Sequence, residues 1–374
     1  MLFASKAASF VHLYRIMAEE NMGVDVVSCG EIATAKAAGF DLTRAYFHGN
    51  NKTDADIAYA LEAGVGTFVV DGPEELAALE AACAARGMRQ DILLRITPGI
   101  DPHTYEEVST GKVDSKFGNA IATGAADAIT AAALSCDHLR LAGFHCHVGS
   151  QVFGEDVFER AAQVMLAFIA HVRDVYGYEA RELNLGGGFG VPYVAGEEPL
   201  DIRAKVASLA AAVMAACAEH GLEIPRMLME PGRSIVADAG MTLYTAGAVK
   251  RIPGYKTYVS VDGGMTDNPR YALYKSRYTV LPASRAAELC DMAATVAGRC
   301  CESGDIIQEG VALPSSTTRG DILAVCTTGA YNYSMASNYN RIPRPPVVML
   351  SGGTQAKVAV RRETFEDLVS LDVQ

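Results

Sequence analysis

At 374 residues the chain exceeds the usual size of a single hydrophobic core, so one large and one smaller domain is the expectation. Half of it is apolar and a fifth charged, no apolar run approaches the ~18 residues of a membrane span, and a net charge of −12 disfavours nucleic acid and anionic membranes as partners. Nine cysteines, an odd number without scaffold spacing or a C-x-x-C pair, predict reduced thiols in a cytoplasm and no metal site.

The chain opens on an apolar strand, Met1 to Ala4, with no basic or signal-like segment ahead of it, which reads as a sequence truncated at its N-terminus. Short apolar or β-branched runs then alternate with Ala-rich helical segments. The strand candidates are 2–5, 24–28, 45–48, 67–70, 92–96, 139–145, 182–185 and 227–230, and the clearest helices are 74–86, 157–175 and 202–220. Eight such units predict an α/β fold, a closed (β/α)8 TIM barrel over residues 1–238, with its chemistry on the loops after the C-terminal strand ends. Polar residues gather at those ends: Lys6, Ser28, His48, Asn50, Asp71, His145, His147, Ser150, Glu230 and Arg233. The run Asn184-Leu185-Gly186-Gly187-Gly188-Phe189-Gly190 follows the seventh strand, where barrels commonly hold phosphate, and residues without Cβ let backbone N–H groups close on an anion. An open doubly wound sheet also alternates strand and helix, but its dinucleotide turn belongs near the first strand, where no G-x-G-x-x-G occurs.

From residue 239 the texture changes to period-two apolar segments, 242–249, 257–261, 321–327 and 347–350, separated by Gly and Pro turns. This predicts a β-rich domain over 239–374, a small barrel or sandwich. It carries polar islands at 262–274, 300–305 and 329–344.

Taken together these stretches resemble the fold-type III pyridoxal-phosphate decarboxylases. The resemblance is carried by Phe3-Ala4-Ser5-Lys6-Ala7, His48-Gly49-Asn50-Asn51-Lys52, Ser115-Lys116-Phe117-Gly118, Gly143-Phe144-His145-Cys146-His147-Val148-Gly149-Ser150-Gln151, the glycine run, Glu230-Pro231-Gly232-Arg233-Ser234, Asp262-Gly263-Gly264-Met265-Thr266-Asp267-Asn268, Cys301-Glu302-Ser303-Gly304-Asp305 and Ser334-Met335-Ala336-Ser337-Asn338-Tyr339-Asn340. They span nearly the whole chain in family order. Any one of them alone is weak: a strand-end lysine is usually solvated, a lone histidine usually sits hydrogen-bonded in a core, and Gly-rich loops are mostly turns.

The resemblance implies a (β/α)8 barrel followed by a β-domain, and pyridoxal 5'-phosphate as cofactor. It implies that Lys6 carries the cofactor through an imine, that Glu230 pairs with the pyridine nitrogen, and that His147 stacks on the ring. Ser150, Gly187, Gly188, Pro231, Gly232 and Arg233 would hold the phosphate, with Tyr331 reaching cofactor and substrate. Arg233, Arg270, Tyr274, Glu302 and Tyr331 would contact an amino-acid substrate, and Cys301 would return a proton to Cα. In the family the Cys-Glu segment enters a partner's site, which implies a homodimer with shared active sites. Tyr271 stands where the family has proline, a change that leaves Arg270 in place but bears on its loop.

The implied activity is decarboxylation of meso-2,6-diaminopimelate to L-lysine and carbon dioxide, the last step of lysine biosynthesis. The Cys301-Glu302 pair favours that substrate, since relatives acting on ornithine carry aspartate after the cysteine. The alternatives are another basic amino-acid decarboxylase of this fold (ornithine, arginine or carboxynorspermidine type) and an inactive truncated paralogue that binds the cofactor. Relatives have several dozen residues ahead of the lysine strand, which predicts that a version extended upstream is more stable and more active.

Overall fold

A computed structural model of the chain describes residues 1–100, 114–154 and 156–373. The described chain divides into two compact units, Met1–Gly190 with Pro199–Ser234, and Val191–Glu198 with the residues from Ile235 onward.

The first unit is a barrel of eight parallel strands: Leu2–Ala4, Gly23–Val26, Ala45–Phe47, Thr67–Val70, Gln90–Thr97, Leu139–His145, Glu182–Asn184 and Arg226–Leu228. Each pairs with the next in chain order. The circle is closed by the Leu2 N–H donating to Met229 O at 2.8 Å and the Ala4 N–H to Pro231 O at 3.1 Å. Every expected strand is present, because strands buried on both faces read as short continuous apolar runs.

The intervening helices start and stop where the sequence supplies caps. Thr53 and Asp56 form a capping box on Asp54–Ala63, which ends at Gly64 in the left-handed region, φ 78°. Asp201 caps Ile202–His220 through the Ala204 N–H, and the twenty-residue helix Val157–Tyr176 packs eleven buried side chains inward.

Alternation along the strands stacks the interior in layers. A buried apolar cluster holds Leu2, Tyr46, Val69, Leu93, Ala142 and Leu228. Two residues further along their strands, the alternation returns to Ala4, His48, Asp71, Arg95 and Glu230, all buried. Asp25 shares the register of Ala4, and His145 that of Arg95. Asn184, buried on strand seven, belongs to the same upper ring. A polar layer therefore lies directly over an apolar floor.

The second unit is built on a six-stranded sheet ordered Val280–Leu281, Ile322–Val325, Thr242–Ile252, Lys256–Val261, Met292–Ala297 and Ile306–Leu313. Its pairs are antiparallel except Lys256–Val261 with Met292–Ala297. The long strand Thr242–Ile252 shifts register between Ala246 and Val249, where it passes from Ile322–Val325 to Lys256–Val261. A hairpin of Val347–Ser351 and Gln355–Val360 stands apart from this sheet. Met292–Ala297 and Ile306–Leu313 were not foreseen: Met-Ala-Ala-Thr-Val-Ala has helical composition, and sheet pairing overrides it. All nine cysteines are free, and among the described residues no helix is long and apolar enough to cross a membrane.

Candidate active site

Glu230, two residues beyond strand eight, is 6% exposed and is the centre of the polar layer. The Asn184 amide donates to its Oε1 at 2.7 Å, and His145 Nε2 lies 3.3 Å from its Oε2. His48 Nε2 sits 2.8 Å from Oε1, and on its other side 3.7 Å from Asp25 Oδ1. Burial alone would push the Glu230 carboxyl up, but the two histidines more than reverse this and hold it well below the ordinary range. Burial takes His145 down to about 4, against the pull of Glu230. Asp25, with no such set of donors, is pushed up by burial despite its proximity to His48.

The donor atoms of His48, His145 and Glu230 fall within 4.8 Å of one another, a spacing a metal ion could use. The Asn184 amide and His145 already engage the Glu230 oxygens.

Lys6 follows strand one in the short turn Ser5–Ala7 and is exposed. Its charge is felt by Asp25 and His147. His147 is half-buried; its Nδ1 accepts the Gly187 N–H at 3.2 Å, which places any ring proton of the neutral form on Nε2. Burial, with the nearby Lys6 cation, keeps this imidazole well below its ordinary value.

The glycine run is required by close approach. A Cβ on Gly187 would stand 2.0 Å from Glu230 O, and one on Gly188, at φ 114°, would stand 2.0 Å from Gly149 O. The ends of strands six, seven and eight meet there. Ser150 Oγ accepts from Arg233 Nε at 3.3 Å and Nη2 at 3.0 Å, and Arg233 is buried. Lys6, His147, Ser150, Gly187, Gly188 and Glu230 to Arg233 thus belong to one end of one barrel.

The loop after strand three is pinned by Lys52, whose Nζ donates to Gly49 O (3.0 Å), Val69 O (2.8 Å) and Glu75 Oε1 (2.8 Å). Opposite it the Gly118 N–H donates to Asp71 Oδ2 at 3.1 Å, and the Arg95 guanidinium lies 4.3 Å from the centre of the Phe117 ring.

In the second unit, Arg270 is 5% exposed. It donates to Tyr278 Oη at 2.9 Å and Ser276 Oγ at 3.2 Å, with its guanidinium 4.8 Å from the Tyr193 ring centre. Among the described residues it meets hydroxyls and ring faces rather than a carboxylate. Tyr271 is buried and donates to Glu309 Oε2 at 2.9 Å, which ties the helix Arg270–Tyr274 to the strand Ile306–Leu313. Tyr274, at the end of the same helix, is half-buried. Cys301 and Glu302 are exposed on a turn. The Cys301 N–H donates to Asn340 Oδ1 at 2.7 Å and the Gly304 N–H to Glu302 Oε1 at 3.3 Å. Tyr331 is half-buried with a left-handed backbone, φ 60°.

The sequence singled out His48 and His145 only as polar strand ends and gave no separate role to Asn184. For His48, two-residue alternation above the apolar interior position of Tyr46 was the available signal.

The requirements of pyridoxal phosphate can be set against these observations. Its aldehyde needs an accessible amine, its protonated ring nitrogen an ionised acid, and its phosphate a cradle without Cβ atoms; Lys6, Glu230 and Gly186 to Gly188 meet them. His145 Nδ1, Asp25 Oδ1 and Asp71 Oδ1 are moreover buried without hydrogen-bond partners. A barrel with this mouth is of the kind built to hold that cofactor, and residues 1–237 match the family described as pyridoxal-dependent decarboxylase, pyridoxal binding domain.

The chain is 46% identical over 371 residues to diaminopimelate decarboxylase of Bacillus subtilis (strain 168), covering 99% of this chain and 84% of the relative. Among solved structures it is similar to the M. jannaschii diaminopimelate decarboxylase in co-complex with L-lysine, at 31% identity and TM-score 0.89 over 100% of this chain and 84% of that one. The Helicobacter pylori enzyme complexed with L-lysine gives 30% identity and TM-score 0.90, over 99% of this chain and 89% of that one. By these matches the chain belongs to the pyridoxal-dependent decarboxylase family and, within it, to the diaminopimelate decarboxylases.

Proposed function

We propose that the protein decarboxylates meso-2,6-diaminopimelate to L-lysine and carbon dioxide with pyridoxal phosphate, acting as a cytoplasmic homodimer in lysine biosynthesis. The carrying observation is the buried Glu230, with Asn184 and His145 on its two oxygens, at a barrel mouth that also presents an exposed Lys6. When bound, the cofactor supplies an electron sink for the pair left at Cα as carbon dioxide departs.

The chain's own residues provide the rest. Lys6 supplies the amine that anchors the cofactor aldehyde. Glu230 keeps a proton on the ring nitrogen, and His147 packs on the ring with its proton on Nε2. Gly187, Gly188, Ser150 and the backbone from Pro231 to Arg233 hold the phosphate, with Tyr331 as a further contact. Arg270 holds the remote carboxylate: a buried guanidinium without an acid partner among the described residues is ready for one, and its fork fits a carboxylate with two bonds. Arg233 and Tyr274 add substrate contacts, Glu302 answers the remote ammonium, and Cys301 returns a proton to Cα, these last two reaching the site of a second copy. The nine free thiols suit a reducing compartment.

The test is lysine formation from meso-diaminopimelate by the purified chain, with and without added pyridoxal phosphate. Cofactor-dependent lysine is expected; preferential release of carbon dioxide from ornithine would overturn the substrate assignment.

A further inference from the structure

Asn184 ends strand seven, is 0% exposed and uses both ends of its amide. Nδ2 donates to Glu230 Oε1 at 2.7 Å, and Oδ1 accepts the Gly186 N–H at 3.0 Å. The reversed amide would set an acceptor against a carboxylate and a donor against an N–H, so these partners fix its orientation. The Glu230 N–H in turn donates to Gly186 O at 2.8 Å. Side chain and backbone therefore close a ring through Asn184, Gly186 and Glu230. The Oε1 of Glu230 accepts from Asn184 and has His48 Nε2 2.8 Å away, while Oε2 lies 3.3 Å from His145 Nε2.

We propose that Asn184 is a positioning residue that couples the acid of the ring nitrogen to the glycine cradle of the phosphate, holding both ends of the cofactor in one register. This rests on the pyridoxal-phosphate reading above. A merely structural asparagine would satisfy a strand end and affect stability; a coupling residue alters ring and phosphate recognition together.

Two ligands and two variants separate these. Pyridoxal and pyridoxal phosphate differ only in the phosphate, so the ratio of their dissociation constants, measured by absorbance titration, isolates the cradle. Asn184→Ala removes both bonds: affinity for pyridoxal falls on the order of tenfold, and the advantage of the phosphorylated form shrinks as well. Asn184→Asp keeps an acceptor for the Gly186 N–H but sets a second carboxyl at hydrogen-bond distance from Glu230. Two carboxyls so close do not both ionise readily. At low pH a shared proton replaces the amide donor; as pH rises the pair becomes doubly charged. The variant is thus expected to retain the phosphate advantage while losing affinity for both ligands with rising pH, a step absent from the unsubstituted chain. His48, His145, Asp25 and Arg95 face or surround the same carboxylate in both proteins, so the comparison cancels them.

An Asn184→Ala protein with lowered thermal stability but an unchanged ratio would overturn the coupling, as would an Asn184→Asp protein without the pH step. If Asn184→Ala does not fold, Asn184→Asp decides alone. Failure of the unsubstituted chain to bind pyridoxal phosphate would instead remove the functional reading itself, and this inference with it.

Discussion

Glu230 concentrates more of the proposed chemistry than any other side chain, because its charge and not its shape is what the ring nitrogen requires. Glu230→Gln keeps the volume and one acceptor but removes the charge. Turnover should fall on the order of a hundredfold or more with little change in KM, the pattern of an interaction lost from the transition state; steady-state kinetics check it, and an unchanged kcat would reject the role. His145 gives a stability prediction of definite sign. Its imidazole falls from the ordinary 6.5 to about 4 in the fold. Between those values the folded form binds fewer protons than the unfolded one. Stability is therefore complete above about pH 6.5 and is lost as pH falls through 4, by about 3 kcal/mol at most. The depressed Glu230 carboxyl acts in the same direction further down. Calorimetry across pH 4 to 7 should show Tm dropping on acidification, and His145→Gln should flatten that slope; parallel slopes would reject the assignment.

The loops after the strands carry the site, and their anchors decide its geometry. Lys52 and Glu75 form a buried pair, with side chains 2% and 8% exposed, that pins the loop leaving His48. Lys52→Met strands the Glu75 charge and should cost about 3–5 kcal/mol, whereas the double change Lys52→Met with Glu75→Leu should recover most of it; denaturant midpoints test the pair. The eight barrel strands were legible because each is a compact apolar run between turn residues. The long helices were legible within a residue or so at their ends. What escaped was set by distance along the chain. Met292–Ala297 is a strand only because Ile306–Leu313 pairs with it on one edge and Lys256–Val261 on the other. Likewise Asn184 and His145 reach Glu230 across 46 and 85 residues, and no local pattern records such meetings. The buried Arg270 was named from its motif, but its Tyr193 and Tyr278 neighbours come from separate segments and were not foreseen.

For the whole molecule, the proposed sharing of sites makes a prediction that neither unit makes alone. Lys6→Ala and Cys301→Ala homodimers should each be inactive, yet mixing equal amounts under exchange conditions should restore activity toward about a quarter of normal, since half the dimers are hybrids with one intact site each. No recovery in a mixture shown to have exchanged subunits would reject shared sites. The closure of the barrel has a temporal consequence. Leu2 and Ala4 find their backbone partners at Met229 and Pro231, and the anchoring amine at Lys6 sits just beyond that seam. A growing polypeptide on the ribosome presents the lysine strand ahead of the other seven but has nothing to close it against until the eighth strand has emerged. Capture of the vitamin-derived ligand is then a late event in biogenesis, and its yellow colour should report that the circle has been completed.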